Sequence, residues 1–85
     1  MIYKEISWKD YLKLQDQTGA YLILWSSGIK QWVVNDLCHR EDGPAVEGAN
    51  GAKFWYIHGK KYETEEEWEV ALYELKAKEI KDLIV

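Results

Sequence analysis

Three side chains in this 85-residue chain could act as soft metal ligands, or as a nucleophile with its base: Cys38, His39 and His58. A zinc site takes four ligands, or three and a water, in recognisable pairs. Cys38 and His39 are adjacent, and neighbouring residues of a strand point to opposite faces, so the spacing does not assemble a metal centre. A thiol nucleophile needs a base, a group to orient that base and donors for the developing oxyanion. No glycine loop or orienting acid stands beside Cys38, and a lone cysteine more often fills a small core position. The expectation is a non-enzyme with no catalytic residue, no metal and no cofactor.

Two charged groupings remain. His39-Arg40-Glu41-Asp42 sets four ionisable side chains ahead of Gly43-Pro44. Asp before Gly commonly bonds its own backbone in a turn, which favours a structural loop with Arg40 paired to a nearby carboxylate. The functional alternative makes Arg40 a partner-binding residue. Glu63, Glu65, Glu66, Glu67 and Glu69 form the densest charge cluster in the chain. Carboxylates are favoured at the positive end of a helix dipole, and an acidic patch also attracts a basic partner. Glu63, Glu65, Glu66 and Glu69 are therefore candidate partner-binding residues, with Glu67 assigned to the helix cap.

The framework that must position these groups is an internal repeat. Gly28-Ile29-Lys30-Gln31-Trp32-Val33-Val34-Asn35-Asp36 recurs 23 residues later as Gly51-Ala52-Lys53-Phe54-Trp55-Tyr56-Ile57-His58-Gly59. Trp, Val, Ile and Tyr suit a half-buried pleated surface, and Asn35-Asp36 and His58-Gly59 tolerate the positive φ of tight hairpins. Each copy is expected to be a β-hairpin that completes its core against its neighbour. Trp32 and Trp55, equivalent in the repeat, are both expected to be largely buried.

The run Trp32 to Val34, Asn35-Asp36, His39 to Glu47, Gly51, Lys53, Trp55-Tyr56 and Gly59-Lys60 resembles a repeat of small phage and bacterial proteins. There, Trp and two apolar residues lead into Asn-Gly and a His-Arg-Glu-Asp-Gly-Pro-Ala turn. The period and the Trp-x-x-Asn-Gly turn are also similar to the membrane-occupation-and-recognition-nexus (MORN) repeat. The resemblance covers residues 20–62. Asp36 stands where the pattern has Gly, and the second copy, lacking the Asp-Gly-Pro turn, is expected to be the last unit. The resemblance implies a fold and no catalytic residue. It also implies a phage or mobile-element product that binds and inhibits a host defence protein, in an anti-CRISPR-like role.

The flanks read as helices. Ser7 is a good N-cap, with Trp8, Tyr11 and Leu12 on one stripe of a helix expected to stop near Thr18-Gly19. Tyr21-Leu22-Ile23-Leu24-Trp25 is an apolar run expected to be a central strand covered on both faces. Further strands are expected at 30–34, 44–48, 52–57 and 60–62. Thr64 and Glu67 have capping-box spacing and open a long helix. The expected fold is α+β in a single domain, 1–85. A strand and helix at 1–19 precede β-hairpins at 20–62, an antiparallel meander of about five strands, and a C-terminal helix at 64–82 follows.

That last helix has two apolar stripes. Trp68, Ala71, Leu72 and Leu75 are expected to pack on the sheet. Val70, Tyr73, Ala77, Ile80 and Ile84 need other cover, either the first helix or a dimer or partner contact. The stripe from Val70 to Ile84 spans about 21 Å against about 14 Å for the first helix, so Ile80, Ile84 and Val85 are expected to stay exposed in the monomer. A homodimer through this helix would use them.

Five Trp, six Tyr and one Phe give a short chain a substantial core, since each ring can bury about 150–250 Å². A net charge of -4 disfavours a phosphate-tracking surface and favours a partner protein with a basic surface. No apolar run of membrane length is present, and the expected address is the cytoplasm, that of the host cell for a phage product. The leading expectation is a small protein-interaction module. The alternatives are a binder of single-stranded nucleic acid or nucleotides through exposed Trp rings and a self-associating structural repeat.

Overall fold

The computed structural model describes the backbone of residues 1–84 and the side chains of residues 1–81. These residues run as β1 (Lys4–Ser7), α1 (Trp8–Lys13), β2 (Ala20–Leu24), β3 (Lys30–Val34), β4 (Leu37–Cys38), β5 (Val46–Glu47), β6 (Lys53–Ile57), β7 (Lys60–Tyr62) and α2 (Glu65–Ile84). Their order in the sheet is β1-β2-β3-β5-β6-β7. Because β2 occupies the whole of one edge of β3, β4 and β5 lie end to end along the other.

The class is α+β, but the sheet is mixed rather than an antiparallel meander of about five strands. β1 runs parallel to β2, with Lys4 opposite Tyr21 and Ser7 opposite Leu24, while every other pair is antiparallel. Parallel neighbours need a crossover of about a dozen residues. Residues 8–19, α1 with its exit loop, provide it. The strand expected at 44–48 shrinks to Val46–Glu47, because Pro44 has no N–H for a ladder. β4 is an additional strand that closes the first hairpin.

Both hairpins turn over two residues with positive φ: Asn35 and Asp36 at 51° and 65°, His58 and Gly59 at 47° and 84°. That is the type I′ pattern, whose twist matches the flanking strands. Gly28 and Gly51, one period apart, also agree, at 85° and 88°.

Ser7 caps α1, its Oγ accepting from the Asp10 N–H at 3.2 Å. The helix ends at Lys13, earlier than expected. Leu14 N–H and Gln17 Nε2 both donate to the Tyr11 carbonyl, at 3.1 and 3.2 Å, and Asp16 Oδ1 accepts from Thr18 N–H. Local bonds thus satisfy the groups that further helical turns would have used.

Tyr11, Ile23 and Val33 are buried together, with Ile6, Trp8, Leu14, Tyr21 and Trp25 packed around them. Leu12 does not join the stripe and is 59% exposed, and Leu24 is exposed too, so β2 is not covered along both faces. Trp32, Ala45, Ile57 and Trp68 are buried farther along the sheet. Trp32 has the Arg40 guanidinium 3.9 Å from its ring centroid, whereas Trp55 is only half-buried, in the outer hairpin, against Trp68 at 4.8 Å. The two repeat tryptophans therefore differ, because one sits in mid-sheet and the other beside the edge strand.

α1 packs on β1 and β2, and α2 on β6 and β7, at opposite ends of the strand order. The first helix thus does not provide the cover that was one expectation for the second stripe of α2. Val70, Tyr73 and Ile80 are 59%, 76% and 55% exposed. The side chain of Ile84 and the whole of Val85 lie outside the described residues.

Candidate functional site

The His39 to Glu47 segment passes between β3 and β6 and is braced from every side. His39 is fully buried. Its Nδ1 accepts from the His58 backbone N–H at 2.9 Å, so the ring proton sits on Nε2, which donates to Glu41 Oε2 at 3.0 Å. The His58 ring stacks on it with centroids 4.2 Å apart. The Arg40 guanidinium lies on Trp32 and donates to Asp42 Oδ1, to the Pro44 carbonyl and to Glu47 Oε2. A Cβ on Gly43 would stand 2.9 Å from Arg40 Cζ, so a larger residue there would have to displace the guanidinium. With both ring nitrogens engaged and no exposure, His39 is placed to hold the loop together rather than to bind a metal or move a proton.

Distant elements tie into the same loop. The Trp68 indole N–H donates to the Arg40 carbonyl at 3.3 Å, and Lys76 pairs with Glu41. Hydrogen bonding from Lys76, reinforced by His39, holds the Glu41 carboxyl below its ordinary range. The Lys76 ammonium is half-exposed, so solvent screens the pair and it contributes no more than about 1 kcal/mol.

Two phenols tie the β1–α1 segment to the β3–β4 hairpin and its exit. Tyr3 donates to the His39 carbonyl at 2.9 Å, and burial, then the Asp42 and Glu41 carboxylates, push its ionisation up to about 12. Tyr11 donates to Asp36 Oδ1 at 2.7 Å, and burial, then that hydrogen bond, push it upward as well. The unfolded chain releases these protons near pH 10, while the folded chain keeps them. The folded state therefore binds more protons above that pH, and stability falls as pH rises. The expected slope is about 1.4 kcal/mol per pH unit for each phenol. Melting temperatures between pH 9 and 12 should show this limb, and Tyr3→Phe with Tyr11→Phe should flatten it.

The surface with chemistry to offer a partner is at the start of α2. Thr64 Oγ1 accepts from Glu67 N–H at 3.1 Å, so the expected cap is in place. Glu63, Glu65, Glu66 and Glu69 are all exposed, and among the described residues none is in an ion pair. An open groove of about 610 Å³ runs between β7 and α2, lined by apolar Tyr62, Val70 and Ala71 and by Glu63, Glu66, Glu67 and Glu74. Thr64, Glu65, Glu66 and Glu69 line a second hollow of about 530 Å³. Lys60 and Lys61 line the groove as well, but their ammonium groups rest over the Tyr62 and Phe54 rings at 5.3 and 5.1 Å.

The structure thus places Glu63 and Glu66 in the β7–α2 groove and Glu65, Glu66 and Glu69 in the second hollow, the two meeting at Glu66. Arg40 is engaged inside its own loop, and Ile80 lies more than two turns farther along α2. Tyr62, Val70, Ala71 and Glu74 were not singled out as lining such a groove. For those on α2 the spacing held the signal, because 66, 67, 70, 71 and 74 step along one helical face. Compared with family models, curated proteins and solved structures, the chain gives no match. No helix among the described residues is long and apolar enough to cross a membrane.

Proposed function

We propose that this chain is a small non-enzymatic protein-interaction module that presents the start of α2 to a protein with a basic surface. One observation carries the reading: Glu63, Glu65, Glu66 and Glu69 line two adjoining hollows with no cation of the chain paired to them among the described residues. Carboxylates that outnumber Lys60 and Lys61 along the β7–α2 groove, with apolar Tyr62, Val70 and Ala71 among them, attract a basic partner at long range and offer it an anchor at contact. The resemblance of residues 20–62 to repeats of phage and bacterial proteins supports a narrower reading, a phage or mobile-element inhibitor of a host defence protein acting in the host cytoplasm. The nucleic-acid alternative needs open aromatic platforms. Trp8 and Trp25 stack on each other, Trp32 and Trp68 are buried and Trp55 packs on Trp68, so no Trp ring is exposed.

The test compares the parent with a Glu65→Lys, Glu66→Lys, Glu69→Lys variant as bait in bacterial lysate, at low and high salt. The variant keeps Thr64 and Glu67, and hence the cap. The expected result is a basic protein retained by the parent at low salt, released by salt and bound about tenfold or more weakly by the variant. Equal retention by both baits at low salt would remove the acidic surface from the functional account.

A further inference from the structure

The outward stripe of α2 carries an independent inference. Val70, Tyr73, Ala77 and Ile80 follow one another at spacings of 3, 4 and 3, which places them along one side of the helix. Trp68, Leu72 and Leu75, on the other side, are buried or half-buried. Three large side chains of the outward stripe are more than half exposed, and α1 is committed to β1 and β2. A contiguous apolar stripe on a charged helix marks an association surface.

The charges along α2 say what fits there. Residues 65–74 hold Glu65, Glu66, Glu67, Glu69 and Glu74 with no cation, while residues 75–82 hold Lys76, Lys78 and Lys81 against Glu79 and Asp82. We propose that the stripe is covered by a second copy of this chain, its α2 laid antiparallel across the first about a two-fold axis near Ala77. A parallel pair would bring the two acidic ends side by side. The antiparallel pair sets each acidic half against Lys78 and Lys81 of the other copy, Lys76 being engaged with Glu41 of its own chain, and opposes the helix dipoles. Ala77, small and central in the stripe, permits close approach of the two backbones. With Ala77 at the axis, Glu74, three residues before it, comes within one residue of level with Lys81 of the second copy, four residues after it. Symmetry makes that pair twice. Two heptads are short for a free-standing coiled coil, so this is a contact between domains already folded. Val70 and Glu74 are the residues it shares with the β7–α2 groove.

Three measurements test the proposal. Sedimentation equilibrium of the parent should show a mass rising with concentration from 10.0 kDa toward twice that value. Tyr73→Ser with Ile80→Ser should stay at the monomer mass with the parent's circular dichroism and melting temperature. A parent that remains monomeric at millimolar concentration overturns the proposal, and so does a double variant that unfolds, because the stripe would then be core. For orientation, in a Cys38→Ser background, Ala77→Cys should oxidise readily to a linked dimer while Val70→Cys should not. The two 70 positions would stand about 21 Å apart, and a disulfide tolerates Cα atoms no more than about 7 Å apart. Linking through Val70→Cys as readily as through Ala77→Cys, or through neither, rejects the antiparallel arrangement. Finally, Glu74→Lys should weaken the dimer about tenfold at low salt and added Lys81→Glu should restore it. Loss without restoration would place the pair elsewhere and overturn the register.

Discussion

His39→Ala is expected to cost about 3–5 kcal/mol, a large share of the roughly 5–15 kcal/mol that stabilises a small domain. Four losses act together. The fully buried ring leaves a cavity. The His58 N–H loses the acceptor that held it at 2.9 Å, and a buried donor left unpaired costs about 1–3 kcal/mol. Glu41 loses a donor and the His58 ring loses its stacking partner. The comparison is His58→Gly, which keeps the backbone donor and suits the φ of 47° at that position. It should cost less than about 1 kcal/mol. Urea unfolding followed by tryptophan fluorescence and far-ultraviolet circular dichroism gives both values. If His39→Ala lay within 1 kcal/mol of the parent, the 39–47 loop would not be the brace described above.

Trp32→Ala is expected to cost about 3–5 kcal/mol, the range for deleting a large buried aromatic. Trp55→Ala should cost less, about 2 kcal/mol, because the half-buried ring gives up less area. Deleting Trp32 also strips the surface on which the Arg40 guanidinium lies. Trp32→Ala and Arg40→Ala should therefore be non-additive, the double variant losing less than the sum of the single losses. Equal costs at 32 and 55 would mean that the repeat, rather than position in the sheet, sets the contribution of each ring.

The local part of this fold was legible in the residues. Ser7 and Thr64 cap the two helices, as their chemistry implies, and Asn35-Asp36 and His58-Gly59 take the positive φ that two-residue hairpins demand. What escaped is long-range. Nothing in Met1 to Ser7 announces that β1 lies parallel to β2 through a helical crossover, because a strand's apolar pattern does not record its partner's direction. The role of His39 was hidden for the same reason: its partners are a backbone N–H nineteen residues away and a Tyr hydroxyl thirty-six away. The acidic cluster was visible as a sequence of Glu. Its concavity came from β7 lying beside the helix, which needs the chain in three dimensions.

The parallel pairing of β1 also bears on the order in which the chain assembles. The two hairpins close over two residues each, and such turns form in about 1–10 μs. β1 instead meets β2 across 17 positions, from Lys4 to Tyr21, and its neighbour Tyr3 reaches the His39 carbonyl. Closing longer loops costs more entropy and yields no contact until it is done. β5 meets β3 across as many as 17 positions too, but the 36 positions from Tyr3 to His39 make the N-terminal segment the longest closure and the one expected to dock last. It settles as a latch once residue 39 is already held by the loop behind it.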